Sequence, residues 1–258
     1  MSKKNKISII GLGYVGLPLA VEFGKKFETL GFDISSRRIS ELRKKIDTSG
    51  ELSGSDIRKA KKLKFSSRAN DLKNSNVYII TVPTPIDKNK KPDLSDLLSA
   101  TKLVAKYLNR NDIVIYESTV FPGATEEICV PLLKKISKLN YISSDKNSNY
   151  LPGFYCGYSP ERINPGDKKH NIKKVIKIIS GSTPYISNKI KKLYGKIITA
   201  GVYSAPNIKT AEAAKIIENT QRDLNIALAN ELSIIFNKMN LDIKEILRAA
   251  NTKWNYSY

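Results

Sequence analysis

Short apolar segments alternate with longer, partly polar segments along the chain up to about residue 205. The apolar segments are typical of buried strands, and the longer ones repeat apolar residues at three- and four-residue steps, as amphipathic helices do. The predicted strands are, in chain order, KISIIG, ETLGFDI, NVYIITVPTP, DIVIYEST, FYCGYSPE, KVIKIISG and KIITAG. This alternation predicts an α/β fold with a doubly wound, mostly parallel sheet of the Rossmann-like type.

Five segments between these strands carry the helical pattern. They are GLPLAVEFGKK, SRRISELRKK, DLSDLLSATKLVAKYL, GATEEICVPLLKKISK and PYISNKIKKLYG. We expect Asp93 or Ser95 to cap the third helix, because short polar side chains accept hydrogen bonds from the first N–H groups of a helix. The segment 140–153 is rich in Asn and Ser, and we expect it to form an exposed loop.

The pattern changes after residue 208. Residues 209–240 contain no Gly or Pro, which predicts one long helix, and a shorter helical segment, DIKEILRAAN, follows. We therefore place the domain boundary at 205–208, with a Rossmann-like domain over 1–207 and a helical domain over 208–258.

Composition and charge narrow the classes of function. The 258 residues carry 44 Lys and Arg against 24 Asp and Glu, a formal net charge of +20. Such a charge attracts anionic ligands. The Lys residues are scattered, and no recognition motif or interleaved aromatic residue accompanies them. We therefore assign the charge to solvated faces and expect no nucleic-acid partner.

The cysteines and the apolar runs exclude further classes. Cys129 and Cys156 stand in no CxxC or metal-type spacing, so we expect no disulfide framework, no metal site and a reduced, cytoplasmic setting. The chain has no run of about 18 apolar residues, so we expect no membrane span. The only histidine, His170, lies in a Lys-rich stretch, and we expect it to be solvated and to have no catalytic role.

A glycine-rich turn, GLGYVG, follows the first predicted strand and opens the first predicted helix. In a turn of this kind Gly11 permits the tight bend, and Gly13 lets the backbone approach a pyrophosphate. Gly16 lets the helix pack closely on the sheet, and the N-terminus of that helix faces the phosphates. The context on both sides of the turn favours a dinucleotide site over ordinary turn glycines.

The residue that ends the second strand indicates which dinucleotide binds. Asp33 lies about 20 residues after the glycines, where a carboxylate accepts hydrogen bonds from a ribose diol and repels a 2′-phosphate. This predicts NAD in preference to NADP. Arg37 and Arg38 are close enough to accept a 2′-phosphate, and they weaken that preference.

Polar side chains follow three of the predicted strands. They are Thr81 and Thr84 in TVPTP, Glu117, Ser118 and Thr119 in ESTVFPG, and Glu161 and Arg162 in SPERINPG. A single group of this kind could simply cap the next helix. Because ligands bind beyond the carboxyl ends of the strands in an open α/β sheet, three groups together predict a lined cleft.

One face of the predicted long helix carries Glu212, Lys215, Asn219 and Arg222 at three- and four-residue steps. A solvated face with helix ion pairs, such as Glu212 with Lys215, explains the charged residues. It explains Asn219 poorly, because Asn is unfavourable inside helices and prefers caps. Spacing alone therefore leaves a solvated face and a functional face equally open.

Taken together, these segments resemble a known family. GLGYVGLP, TVPTP, ESTVFPG, YSPERINPG and EAAKIIENTQRDLNIALANE are similar, in order and over essentially the whole chain, to the UDP-glucose/GDP-mannose dehydrogenase family. The similarity is greatest to the branch that acts on UDP-N-acetylhexosamines in surface-polysaccharide synthesis. It implies oxidation of the sugar C6 hydroxyl to a carboxylate by two successive hydride transfers to NAD. Between them a cysteine thiolate forms a thiohemiacetal, which becomes a thioester and is hydrolysed.

The resemblance also implies an organisation and a set of site residues. The first domain would bind NAD, and residues 208–258 would begin a central dimerisation domain whose long helix forms a homodimer. Catalytic roles are implied for Thr119, Glu161, Lys215 and Asn219, of which the last two stabilise the oxyanion at C6. Cofactor binding is implied for Gly11, Gly13, Tyr14, Val15, Gly16, Asp33, Arg38, Thr84 and Thr119. Binding of the UDP-sugar is implied for Glu161, Arg162, Lys215, Asn219 and Arg222.

The chain departs from the family pattern in two places. UDP-glucose enzymes carry a second glutamate four positions after the one in SPE, where this chain has Pro165. That difference marks the acetylhexosamine branch and leaves the hydrolytic base unassigned. The family also continues into a loop of the type GGHCIPVDPYYL, which carries the catalytic cysteine, and then into a UDP-binding domain, whereas this chain ends at Tyr258. We expect Cys129 and Cys156 to be packed as small apolar residues and not to replace that cysteine.

These departures lead to a specific expectation. The chain would be a truncated N-terminal portion of a nucleotide-sugar dehydrogenase that binds NAD without complete turnover. The apolar residues of its long helix would promote self-association. The alternative is a non-catalytic NAD-binding protein.

Overall fold

The computed structural model describes residues 4–144, 152–164, 166–167 and 171–256. Pro165, His170, Tyr258 and residues 145–151 of the predicted loop lie outside this part of the chain. Among the described residues, the strands are β1 Lys6–Ile10, β2 Glu28–Phe32, β3 Leu63–Ser66, β4 Val77–Ile80, β5 Ile113–Tyr116, β6 Asn140–Tyr141, β7 Gly153–Tyr158, β8 Lys177–Gly181 and β9 Val202–Ser204. The helices are α1 Gly16–Lys26, α2 Ser36–Arg43, α3 Gly54–Lys59, α4 Ser95–Ala105, α5 Val130–Ser137, α6 Pro184–Tyr194, α7 Ile208–Lys238 and α8 Ile243–Ala250, with a 3-10 helix Ala69–Asn74 and a π-helix Ala124–Cys129.

The strands pair in the order β3-β2-β1-β4-β5-β7-β8-β9, and β6 pairs with β7. Neighbours are parallel except for β7 and β8, which run antiparallel. Strands β2 and β3 follow on one side of β1, and β4 then pairs with β1 on its other side. A sheet with this reversal opens a crevice at the carboxyl ends of its strands. The structure confirms the predicted doubly wound, mostly parallel sheet and the long helix after residue 207.

The core lies on both faces of the central strands. All four residues of β4, VYII, and of β5, IVIY, are buried, as expected where helices cover a parallel sheet on both sides. From α1, Leu17, Leu19 and Phe23 pack into this core. The Phe23 ring meets the Tyr194 ring edge-on, with the ring centroids 5.4 Å apart. This packing holds the strand ends in fixed positions.

Two predicted helices differ in detail from the structure. Leu94 occupies the N-cap position of α4, so the prediction of Asp93 or Ser95 there is wrong. Asp93, which precedes the N-cap residue, instead accepts a hydrogen bond from the Ser95 N–H at 2.9 Å. The helix predicted from residue 123 begins as the π-helix, after Gly123 with a φ of 97°, and becomes regular only in α5.

The last predicted strand, KIITAG, is wrong. Ile197 and Ile198 continue the turn after α6, and the N–H of each donates to the Tyr194 carbonyl oxygen at 2.9 Å. The strand at this position is β9, which starts after Gly201 with a φ of 108°. Short apolar runs do not distinguish a strand from a buried turn, and both isoleucines are buried here. The short elements α3, β3 and β6 were not predicted, because they are too brief to show a period.

The chain forms two compact units, Met1–Ala213 and Ala214–Tyr258. Helix α7 runs through the point of division, and α8 follows it with its N-cap Asp242 accepting a hydrogen bond from the Lys244 N–H at 2.8 Å. The domain boundary at residues 207 and 208 stays a prediction. A search of the described helices found none that combines the length and the apolar character needed to cross a membrane.

Candidate functional site

A cleft of about 640 Å³ opens at the carboxyl ends of β1, β2, β4 and β5. This volume is in the range of small-molecule sites in proteins. Among the residues that line the cleft are eight of the predicted site residues, Gly11, Gly13, Tyr14, Val15, Asp33, Thr84, Thr119 and Glu161. The structure therefore brings the glycine turn, the acidic end of β2 and the polar ends of β4 and β5 into one cavity.

The glycine turn forms a cradle that side chains would fill. A Cβ atom on Gly16 would lie 1.9 Å from the Gly11 carbonyl oxygen and 2.4 Å from Thr81 Oγ1, so only glycine fits there. Gly11 has a φ of 94°, which also favours glycine. A Cβ on Gly13 would meet no atom within 4 Å, so the backbone there is open to a ligand. With the N-terminus of α1 behind it, this turn suits a pyrophosphate.

Asp33 is held in a fixed orientation at the end of β2. One carboxylate oxygen accepts a hydrogen bond from the Leu12 N–H at 2.9 Å, and the other accepts one from the Ser35 N–H at 2.9 Å. These bonds tie the end of β2 to the glycine turn. Each oxygen keeps further acceptor capacity, so the carboxylate can also receive the hydroxyl groups of a ribose.

The two arginines after β2 already have protein partners. The Arg38 guanidinium donates to the Leu12 carbonyl oxygen at 3.0 and 2.9 Å and pairs with Asp47 at 2.8 Å. The exposed Arg37 pairs with Glu41 at 3.0 Å. Arg38 does not line the cleft. Its hydrogen bonds to the Leu12 carbonyl oxygen support the glycine turn. Both guanidinium groups thus have partners within the protein, and the predicted role of Arg38 in cofactor binding stays a prediction.

The ends of β4 and β5 are joined by side-chain hydrogen bonds. Thr84 Oγ1 donates to the Thr119 carbonyl oxygen at 2.6 Å, and Ser118 Oγ donates to the Val82 carbonyl oxygen at 2.5 Å. Thr81 Oγ1 contacts the carbonyl oxygen of Gly11 at 2.8 Å and so supports the glycine turn. These hydrogen bonds hold the ends of β4 and β5 and the glycine turn in fixed positions relative to one another.

The segment after β7 brings a carboxylate to the same cavity. Glu161 is largely buried, lines the cleft and accepts a hydrogen bond from the Ile163 N–H. Arg162, outside the cleft lining, donates to the Ile176 carbonyl oxygen at 2.8 Å. Its predicted role toward a substrate stays a prediction.

Sequence reasoning missed the partners of Glu117, which lines the cleft from the end of β5. Its carboxylate accepts hydrogen bonds from the Lys177 ammonium at 2.6 Å and from the Tyr194 hydroxyl. Burial raises the pKa of the Glu117 carboxyl, and the ammonium opposes that rise. Lys177 begins β8 and Tyr194 ends α6, so no local pattern pointed to either.

Helix α7 carries the remaining predicted residues. The Glu212 carboxylate is fully buried and accepts hydrogen bonds from the N–H groups of Gly123 at 2.6 Å and Thr125 at 2.9 Å. The alternative of a solvated face is therefore wrong at Glu212. Farther along, Asn219 Oδ1 accepts a hydrogen bond from the Arg222 guanidinium at 2.7 Å. Catalytic and substrate-binding roles for this helix stay predictions.

The two cysteines are both buried. Burial raises the pKa of the Cys129 thiol to about 11, and it raises the pKa of the Cys156 thiol as well. A thiolate is the nucleophilic form, so neither side chain is suited to covalent catalysis near neutral pH. Across the part of the chain that the structure describes, no group of three or more His, Cys, Asp or Glu residues could hold a metal ion.

Comparison with known proteins agrees with this geometry. The family model for the NAD binding domain of the UDP-glucose/GDP-mannose dehydrogenase family matches residues 5–198. The model for the central domain of the same family matches residues 209–258. The UDP-N-acetyl-D-glucosamine 6-dehydrogenase of Pseudomonas aeruginosa is 55% identical to this chain over 254 residues, which are 98% of the chain and 58% of that protein. Protein CapL of Staphylococcus aureus is 50% identical over 250 residues, covering 97% of the chain and 57% of that protein.

Solved structures of other proteins are similar to this chain as well. The UDP-D-ManNAc dehydrogenase of Pyrococcus horikoshii superposes with a TM-score of 0.87 at 34% identity, covering 98% of this chain and 59% of that one. The GDP-mannose dehydrogenase of Pseudomonas aeruginosa, with a TM-score of 0.86 at 21% identity, supports the fold alone. The chain thus spans about 58% of the length of the curated relatives it matches. The chain belongs to the UDP-glucose/GDP-mannose dehydrogenase family, and its first domain is the NAD-binding domain of that family.

Proposed function

We propose that this chain is the cofactor-binding part of an NAD-dependent 6-dehydrogenase that oxidises a UDP-N-acetylhexosamine to the uronic acid for surface-polysaccharide synthesis. The proposal takes its substrate class from the 55% identity to a UDP-N-acetyl-D-glucosamine 6-dehydrogenase. The observation that carries it is the single cleft in which the glycine cradle and Asp33 share a cavity with Thr119 and Glu161. The cleft can therefore hold a nicotinamide cofactor next to the polar side chains of a reaction site.

The residues of the cleft fit NAD in three parts. The cradle at Gly11, Gly13 and Gly16 would hold the pyrophosphate, and Asp33 would hold the diol of the adenosine ribose. The β4 and β5 ends, with Thr84 and the backbone around Thr119, would enclose the nicotinamide half. When bound, NAD accepts the hydride that leaves C6 of the sugar.

The polar residues of the reaction site have separate roles in this proposal. The Thr119 hydroxyl would hold a water molecule or the nicotinamide amide in place. The Glu161 carboxylate, buried in the wall, would accept hydrogen bonds from the sugar. Lys215 and Asn219, four residues apart on α7, would donate hydrogen bonds to the C6 oxygen as negative charge develops there. Arg162 and Arg222 would contribute to binding of the sugar nucleotide.

Two further features belong to the same proposal. We infer a homodimer formed through α7, because this helix exposes Ile217, Leu224 and Leu228, which are 65%, 64% and 59% exposed. We also infer that the protein acts in the cytoplasm, where UDP-sugars and NAD are available and free thiols stay reduced.

The test measures NADH formation from UDP-N-acetylglucosamine and NAD at 340 nm. We would compare this chain alone with a fusion to the part of the Pseudomonas aeruginosa relative that follows the matched region. The fusion is expected to form two NADH per sugar, and a Lys215→Met fusion is expected to be slower by about 100-fold or more. The chain alone is expected to bind NAD and form no NADH.

A folded fusion that binds NAD but forms no NADH with any UDP-N-acetylhexosamine would favour the non-catalytic alternative. The control is the complete Pseudomonas aeruginosa relative, assayed under the same conditions. Circular dichroism of the fusion would distinguish a folded, inactive protein from one that failed to fold.

A further inference from the structure

A buried ion pair lies at the end of β5, where Glu117 forms part of the cleft wall. Glu117 and Lys177, whose side chains are 0% and 7% exposed, are joined by an N–O contact of 2.6 Å. The Tyr194 hydroxyl donates to the second oxygen of the carboxylate, and the Tyr194 ring centroid lies 5.8 Å from the ammonium. The carboxylate therefore links the end of β5, the start of β8 and the end of α6.

The ammonium makes a second contact, with the chain segment that carries the cleft residue Glu161. Lys177 Nζ donates to the Pro160 carbonyl oxygen at 3.0 Å, and Pro160 directly precedes the cleft residue Glu161. The Ser159 N–H donates to the Tyr116 carbonyl oxygen at 2.9 Å, one residue before Glu117. One ammonium thus ties the segment that carries Glu161 to the strand end that carries Glu117.

This part of the cleft corresponds to the nicotinamide half of the cofactor. A dinucleotide whose adenosine ribose is held at Asp33 starts at the end of β2 and crosses β1 and β4 toward β5. Three strand spacings of about 4.8 Å each give a distance of about 14 Å from β2 to β5. An extended dinucleotide covers that distance, so its nicotinamide ring reaches the wall formed by Glu117, Thr119 and Glu161.

We propose that Glu117 and Lys177 are positioning residues for the nicotinamide half of the NAD site. The ion pair holds the Pro160 carbonyl group against the end of β5, and this contact sets the position of Glu161 relative to Glu117 and Thr119 in the wall that the nicotinamide ring reaches. The inference rests on the NAD site alone and is independent of the sugar that the protein oxidises.

A purely structural role would look similar in single variants. Removing one member of a buried ion pair leaves an uncompensated charge, which destabilises a fold whatever the pair does. Removing both charges relieves that penalty but leaves Pro160 without its ammonium donor. The double variant Glu117→Gln with Lys177→Met therefore separates the two roles.

The experiment measures binding of NAD and of ADP-ribose to this chain by titration calorimetry, together with the melting temperature of each variant. ADP-ribose contains the adenosine and pyrophosphate but lacks the nicotinamide. The NAD affinity of Lys177→Met and of the double variant should fall about tenfold, because the contacts with the nicotinamide ring are weakened. Their affinity for ADP-ribose should change less than twofold, and the double variant should melt at a higher temperature than Lys177→Met.

Two matched controls accompany these variants. Tyr194→Phe removes a hydrogen bond to Glu117 but keeps the ammonium and its contact with Pro160, so it should retain the wild-type ratio of NAD to ADP-ribose affinity. Lys189→Met removes a half-buried Lys of α6 outside the cleft lining and should retain that ratio too.

Two outcomes would overturn the proposal. One is a double variant that binds both NAD and ADP-ribose with the wild-type affinities, which would make the pair purely structural. The other is an equal loss of both ligands in a folded double variant, which would place the effect outside the nicotinamide half. Should Lys177→Met fail to fold, the double variant alone decides between these results.

Discussion

The carboxylate of Asp33 offers a direct test of how the cleft selects its cofactor. In Asp33→Ala, NAD loses a charged acceptor for its ribose diol, and hydrogen bonds to charged groups contribute about 1.5–3 kcal/mol. NAD affinity should therefore fall about 10- to 100-fold. The N–H groups of Leu12 and Ser35 also lose their acceptor. Water can replace it at the exposed Ser35 contact, whereas the Leu12 contact is partly buried, so the melting temperature of the variant should fall as well. NADP should bind no worse to the variant than to the wild type, because the charge that repels its 2′-phosphate is gone.

Titration calorimetry with NAD and NADP on both proteins measures these changes. The matched control is Asp87→Ala, because Asp87 also accepts two backbone N–H bonds, from Asn89 and Lys91 at 2.8 Å, but lies outside the cleft lining. It should leave NAD affinity unchanged. The reasoning fails if the wild type binds NADP better than NAD, or if Asp33→Ala and Asp87→Ala weaken NAD binding equally.

Four further variants test the glycine turn and helix α7. Gly16→Ala places a Cβ 1.9 Å from a backbone oxygen and should lower the melting temperature and abolish NAD binding. Gly13→Ala, with no atom within 4 Å, should fold normally and lose only NAD affinity, which calorimetry and thermal melting together would show. Burial raises the pKa of the Glu212 carboxyl, so the stability that this group contributes is fully present below its unfolded pKa of about 4.3 and is lost as pH rises through its folded pKa. The destabilisation caused by Glu212→Gln should therefore shrink as pH rises above about 4.3, and a constant difference in urea unfolding across pH 4 to 7 would contradict this. Leu224→Glu on α7 should shift sedimentation toward the monomer, whereas an unchanged profile would argue against a dimer through this helix.

The sequence was most informative where the site depends on local geometry. The turn from Gly11 to Gly16 and the acidic residue Asp33 follow a fixed spacing around a strand and a helix, so their meeting in one cleft could be predicted. Thr119 and Glu161 could be placed at the same edge because parallel strands end on the same side of a sheet. For these residues, the strand assignment was sufficient to predict where they lie.

The rest depended on contacts between distant residues. Glu117 finds its partners 60 and 77 residues along the chain, at Lys177 and Tyr194, and nothing in their spacing indicates the contact. The antiparallel pairing of β8 with β7 and the turn at Ile197 depend on contacts between separate elements, which an apolar run does not encode. The hydrogen bond from the Arg38 guanidinium to the Leu12 carbonyl oxygen could not be predicted from the sequence either.

A crystal structure of this chain with NAD bound would test the proposed cofactor site. We expect ribose hydroxyl groups within hydrogen-bonding distance of Asp33, the pyrophosphate over Gly13, and the nicotinamide ring at the wall formed by Glu117, Thr119 and Glu161. A dinucleotide bound in the reverse direction, or bound outside this cleft, would contradict it.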